Sequence, residues 1–160
     1  MVQIAVVGDG KASGGLYDLA RRVGAEVANA KAILICGGLG GVMEACARGA
    51  KEHGGLTIGI LPGEDSSEAN RYIDVKVVTA MSHARNAIIA RSADAVIAVG
   101  GKFGTLSEVA LALKMGKPVI LLEESGGIIQ DLSLKGAIKA KNPSEAVKMA
   151  LEKGKGLLGN

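Results

Sequence analysis

The stretch AVGGKFGTLSEV, residues 98–109, joins an apolar run, ADAVIAV (93–99), to an amphipathic one, SEVALALKMG (107–116). It therefore reads as a strand, a glycine loop and the start of a helix. Such a junction gathers backbone N–H groups that lack helical partners, and it attracts anions. The glutamate inside it, Glu108, either caps the helix or acts on whatever the anion belongs to. Thr105-Leu106-Ser107-Glu108 has the form of a capping box, in which Thr105 accepts from the Glu108 amide and Glu108 reaches back to the Thr105 amide.

Two further strand ends run into glycine, VVGDGKASGG (6–15) and ICGGLGGVMEA (35–45). Glycine at the carboxyl end of a parallel strand lets backbone approach a ligand, and the following helix turns its positive end there. One such loop need only permit a tight turn. Three in one small domain point to a shared phosphate cradle. The residues expected to form it are Gly8 and Gly10, then Gly37, Gly38, Gly40 and Gly41, and finally Gly100, Gly101, Lys102, Gly104 and Thr105.

Strands are expected near 2–7, 32–36, 56–61, 74–79, 94–99 and 118–122, as short runs rich in Val and Ile, with helices near 14–30, 41–53, 82–91, 105–115 and 144–153. This alternation predicts an α/β fold, a single doubly wound, Rossmann-like domain with a mostly parallel central sheet. The last helix is marked by Asn142 as N-cap, Pro143 at its first position and Glu145 behind, with Gly154 expected past its end and residues 154–160 expected as a flexible tail. PGEDSSEANR (62–71) is the one long loop, expected where a ligand docks.

At 160 residues and 48% hydrophobic content the chain can build one core. Its net charge of +3 is spread without a basic run, and one Phe, two Tyr and no Trp give few stacking platforms, which disfavours nucleic acid as a partner. No apolar run approaches the roughly 20 residues that span a bilayer, and MVQIAVV lacks a secretory leader, so the expectation is a cytoplasmic protein without membrane association. Cys36 and Cys46 read as small buried hydrophobes. His53 and His83 are too few for a metal site or triad, and Met43, Met81, Met115 and Met149 read as core or interface residues. No P-loop spacing is present, which disfavours an NTPase. The fingerprint G-x-G-x-x-G is broken by Ser13, and Ile35-Cys36-Gly37 stands where the second strand should end on an acid, which argues against NAD.

CGGLGGVMEACARGA (36–50), GGKFGTLSE (100–108) and MSHARN (81–86) together resemble the Rossmann-like superfamily of Lonely Guy phosphoribohydrolases and molybdenum cofactor carrier proteins, many of which carry the label "possible lysine decarboxylase". Nothing in the chain resembles a pyridoxal-phosphate site. The resemblance spans residues 2–150 and implies a homodimer or homotetramer holding a phosphate-bearing small molecule, either molybdenum cofactor or a purine nucleotide. The hydrolase pattern PGGxGTxxE is matched at Gly104, Thr105 and Glu108. Gly100 replaces its proline and Lys102 its second glycine, Asn86 stands in place of a lysine, and the methionine-to-arginine spacing is one residue longer. Those departures look like the carrier-like branch. In the hydrolase branch Arg85 and Glu108 would be catalytic, cleaving the N-glycosidic bond of a nucleoside 5′-monophosphate.

Arg85 falls early in a helix, where the dipole disfavours a cation, so it calls for an anionic partner, either a ligand phosphate or Glu108; a solvated surface position is the alternative. Asn86 is a polar ligand contact or part of an exposed face. Lys102 is a phosphate counter-charge or solvated.

Overall fold

In the first strand Ile4 and Val6 belong to one apolar cluster, and Ala5 and Val7 to another. That alternation is the two-residue period of a strand buried on both faces, and it divides the whole core. A computed structural model describes residues 1–156. Its seven strands are β1 (Gln3–Gly8), β2 (Ile33–Cys36), β3 (Thr57–Leu61), β4 (Val75–Val78), β5 (Ala95–Val99), β6 (Val119–Leu122) and β7 (Ala137–Ala140). They form one all-parallel sheet in the order β4-β3-β2-β1-β5-β6-β7.

The helices are α1 (Gly14–Asn29), α2 (Val42–Glu52), α3 (Arg85–Ser92), α4 (Phe103–Lys114), α5 (Ile128–Asp131) and α6 (Pro143–Gly156). Residues of α1, α2 and α6 join Ile4, Val6, Ile97 and Leu122 on one face; residues of α3 and α4 join Ala5, Val7, Val96 and Leu121 on the other. The chain builds outward from β1 to β4, then returns to place β5 against β1 with Gly8 opposite Val99. This reversal opens a crevice at the carboxyl ends of β1 and β5, where doubly wound folds hold ligands.

The six expected strands are present, and β7 is added to them. Its sequence, AIKA, carries an exposed Lys139 at the sheet edge and too few apolar residues to show as a run. The start of α6 is as expected, with Asn142 Oδ1 accepting from the Glu145 amide at 2.9 Å. Its end is not: α6 continues through Gly154, which is buried beside Asp94, and runs to the last described residue, Gly156. The expected tail is thereby corrected for 154–156, and residues 157–160 lie outside the described residues.

Helices α1 and α2 touch backbone to backbone. A Cβ on Gly24 would overlap the Cys46 carbonyl, and one on Gly49 would overlap the Arg21 carbonyl. Ala20, Ala28, Ala47 and Ala50, on the same two helices, are buried in one apolar cluster. In an open helix, glycine to alanine gains up to about 1 kcal/mol. Here the sign reverses, because overpacking costs about 1–3 kcal/mol. Urea denaturation should therefore show Gly49→Ala less stable than the parent and Gly15→Ala, which meets open space, equal to it or better. A stabilised Gly49→Ala would show that the seam is not closed at this point.

Candidate functional site

The crevice at the β1–β5 reversal is a cleft of about 460 Å³, well within the range of small-molecule sites. Its floor is the end of β1 and the loop after it: Val6, Val7, Gly8, Asp9, Gly10 and Lys11. Gly37 and Met43 close one side, His83, Arg85 and Asn86 another, and Lys102, Gly104, Thr105 and Glu108 the third. The three glycine loops do converge. Asp9 O accepts from the Val42 amide at 2.9 Å, and a Cβ on Gly41 would overlap the Asp9-Gly10 backbone. Of the expected glycines, Gly8, Gly10, Gly37 and Gly104 line the cleft, whereas Gly38, Gly40, Gly41, Gly100 and Gly101 are not among its lining residues.

Helix starts around the cleft lack side-chain caps, although the first amide of α2 is taken by Asp9 O. The N-caps of α1, α2 and α4 are Ser13, Gly41 and Lys102, and none makes a side-chain capping bond. Only α6, away from the cleft, has its cap bond among these long helices. In α4 the first helical bond runs from the Leu106 amide to Lys102 O at 2.9 Å. The amides of Phe103, Gly104 and Thr105 thus precede the intrahelical ladder and supply partial positive charge.

This overturns the capping box. The helix begins at Phe103, so Thr105 lies inside the first turn, buried against Gly101, and cannot serve as N-cap. Glu108 is released from that duty and faces the cleft. Burial pushes its carboxyl up from the ordinary 4.5 to about 7, against the attraction of Arg85. Desolvation disfavours the carboxylate more than this one cation restores it.

Arg85 is only 8% exposed. Its Nη1 donates to Gly37 O at 2.7 Å and also to Ile60 O, so one nitrogen joins the ends of β2 and β3. Its Nε is buried without a partner. Burial lowers its pKa while Glu108 raises it through space. The solvated alternative is excluded for Arg85, and the exposed-face alternative for Asn86, which is 7% exposed. Asn86 Nδ2 donates to Ser107 Oγ at 3.0 Å, and Ser107 Oγ donates to Gly104 O at 2.7 Å, tying α3 to α4. Lys102 is exposed at the rim.

Several functions in this region have no local signal in the sequence. Asp9, Lys11 and Met43 line the cleft without having been singled out for it. Asn70 braces the second glycine loop from the far end of the long loop, donating to Gly38 O at 3.2 Å and Leu39 O at 2.8 Å. That long loop contributes no residue to the cleft wall and acts as a brace. Pro62 O accepts from the Ser82 amide and Gly63 O from the Ala80 amide, each at 2.9 Å. These bonds hold Ala80 and Ser82 at φ of 53° and 50°, left-handed values uncommon for such residues, immediately before Arg85. Met81 is 46% exposed and is not core. Cys36 and Cys46 are buried free thiols; Cys46 donates to Met43 O at 3.2 Å, and Cys36 Sγ accepts from the Gly38 amide at 3.4 Å. His53 decorates the end of α2, its Nδ1 3.0 Å from Gly49 O. Among the described residues no group of three or more His, Cys, Asp or Glu is placed to hold a metal ion, and no helix is long and apolar enough to cross a membrane.

The chain is similar to known proteins over nearly its whole length. A protein of Archaeoglobus fulgidus is 45% identical over 147 residues, 92% of this chain and 93% of that one. The solved molybdenum cofactor binding protein from the phototrophic bacterium Rippkaea orientalis superposes with a TM-score of 0.86 at 39% identity, covering 94% of this chain and 96% of that one. The molybdenum cofactor carrier protein of Chlamydomonas reinhardtii gives 0.83 at 35% identity, covering 96% and 98%. Residues 1–147 match the SLOG cluster4 family, and the chain belongs to that family.

Proposed function

We propose that this protein binds and carries a phosphate-bearing small molecule in the cleft at the β1–β5 reversal, with the phosphate against the amides of residues 103–105 and Arg85. The observation that carries the reading is the Nε of Arg85, a charged donor group buried without a protein partner in a side chain that lines the cleft. A buried, unpaired donor is costly unless something bound supplies the acceptor. The lining is also biased toward anions. Arg85, Lys11 and Lys102 face Asp9 and a Glu108 carboxyl that is about half protonated near neutral pH.

Similarity to molybdenum cofactor carrier proteins at 35–39% identity supports molybdenum cofactor as one cargo, and a purine nucleotide shares its phosphate and fused ring. The residues fit such a cargo through its organic and phosphate parts: an orphaned Arg85 Nε, open helix amides, and Gly104, at which a Cβ would meet open space. The hydrolase reading keeps its two residues, Arg85 and Glu108, on the cleft wall, and the carrier reading is preferred to it for the similarity to carrier proteins. The proposal includes the cytoplasmic setting expected from the sequence. It also includes a homodimer or homotetramer, in keeping with the exposure of Phe103 at 80% and Met81 at 46%.

Three expectations follow from this reading. Incubation with AMP, GMP, IMP and CMP should raise the melting temperature for at least one of them and release no free base; release of base and ribose 5-phosphate that Glu108→Gln abolishes would establish a hydrolase. Sedimentation at micromolar concentration should show a dimer or tetramer, and a monomer would contradict the assembly.

The third concerns pH. The folded value of Glu108, about 7, lies above its unfolded value near 4.5. Its stabilising contribution is therefore complete below pH 4.5 and lost as pH rises through 7. Glu108→Gln, always neutral, should match the parent at pH 4 and exceed it at pH 8. With 1.4 kcal/mol per unit the ceiling is about 3 kcal/mol, reduced because the carboxyl opens onto the cleft. Equal melting curves at both pH values would place the carboxyl in water.

A further inference from the structure

Asp9 is a carboxylate in a cleft otherwise suited to anions. Its backbone is fixed, because its carbonyl receives the first amide of α2 and its flanking glycines are packed against neighbouring chain: a Cβ on Gly8 would overlap Val99 O, and Gly41 abuts Gly10. Its Oδ2 lies beside Gly100, and Asp9 is one of the residues that line the cleft. Among the described residues the carboxylate has neither a hydrogen bond nor an ion pair, and with Glu108 it is one of the two carboxylates that line the cleft. Lys11, two residues on, shares the same cleft without closing on it.

A carboxylate here opposes a bound phosphate, so its presence is offset only by donors on the ligand. Two oxygens on one rigid group match two parallel N–H donors. The 2-amino-4-oxopyrimidine edge, which offers a ring N–H and an adjacent NH₂, is shared by guanine and by pterins; adenine and hypoxanthine lack that pair. Resting on the carrier reading above, we propose that Asp9 is the specificity-determining residue of the cleft and reads this amino-oxo edge, selecting guanine or pterin phosphates over adenine and hypoxanthine ones. Arg85 and the start of α4 hold the phosphate; Asp9 sorts the ring. A site that uses buried polar groups to match ligand donors rejects analogues lacking them far better than an apolar pocket does.

The test titrates GMP, IMP, AMP, xanthosine monophosphate and a pterin monophosphate into the parent, Asp9→Asn and Asp9→Ala by calorimetry, with and without Mg²⁺. The parent should favour GMP, the pterin phosphate or both over IMP and AMP by at least tenfold. Asp9→Asn should lose that preference at least tenfold and gain xanthosine monophosphate, whose second carbonyl accepts from the new amide. Asp9→Ala should bind all of them alike, and both variants should melt like the parent without ligand, since no protein partner is lost. GMP against the pterin phosphate tells the two sources apart. Equal binding of GMP, IMP and AMP by the parent, unchanged in Asp9→Asn, would overturn the assignment of Asp9 while leaving the carrier reading intact. An Asp9 effect seen only with Mg²⁺ would overturn it in favour of a cation held by the carboxylate. A parent that binds none of these ligands would instead overturn the carrier reading itself.

Discussion

A buried guanidinium organises the working end of this molecule. Arg85 stands at the first position of α3, where the helix dipole repels it, and at 8% exposure it has little water to compensate. It is held by carbonyls at the ends of β2 and β3, one Nη1 reaching both. That grip fixes where α3 begins, which in turn sets Asn86 against Ser107 and so the register of α3 on α4. The wall of the cleft, the exposure of the α4 amides and the environment of Glu108 all descend from it. A buried cation with a spare donor is stable only where its surroundings are over-determined, and the left-handed residues just before it, pinned to Pro62 and Gly63, supply part of that rigidity.

The same economy governs the glycines. At Gly37 and Gly41 a methyl group would meet Arg85, Met43 or the Asp9-Gly10 backbone, so these positions are glycine because protein already occupies the space. At Gly10 and Gly104 nothing of the protein comes so close. The first kind brings the loops together; the second leaves room over the loop and helix start that remain open. The starts of α1 and α4, without side-chain caps, belong with the second kind, whereas the first amide of α2 is taken by Asp9 O.

Much of this was legible before any coordinates. Val- and Ile-rich runs ending in glycine gave the parallel strands and the edge at which their loops meet, because burial on both faces leaves no polar alternation to confuse the reading. The elements that escaped were weak in that signal. The edge strand AIKA is half exposed, and α5 spans only Ile128–Asp131. Thr105-Leu106-Ser107-Glu108 misled for a physical reason: the pattern is right for a cap, but Phe103 and Gly104 accept helical geometry, and the start moves two residues upstream. The importance of Arg85 could be read from its place at a helix start, whereas its partners could not. Gly37 and Ile60 are 48 and 25 residues away, as Asn70 is 32 from Gly38. Asp9 stands between two glycines in a stretch with no pattern of its own, and only the fold places it on the cleft lining.

The claim on which the rest turns is that the phosphate of a ligand completes Arg85 and the start of α4. A crystal structure of the protein grown with GMP addresses it directly. The expected result is phosphate oxygens within hydrogen-bonding distance of the amides of residues 103–105 and of the Arg85 guanidinium, whose Nε or free Nη then has its acceptor. A nucleotide bound elsewhere on the surface, with the cleft holding only water and Arg85 Nε still unpartnered, would contradict it.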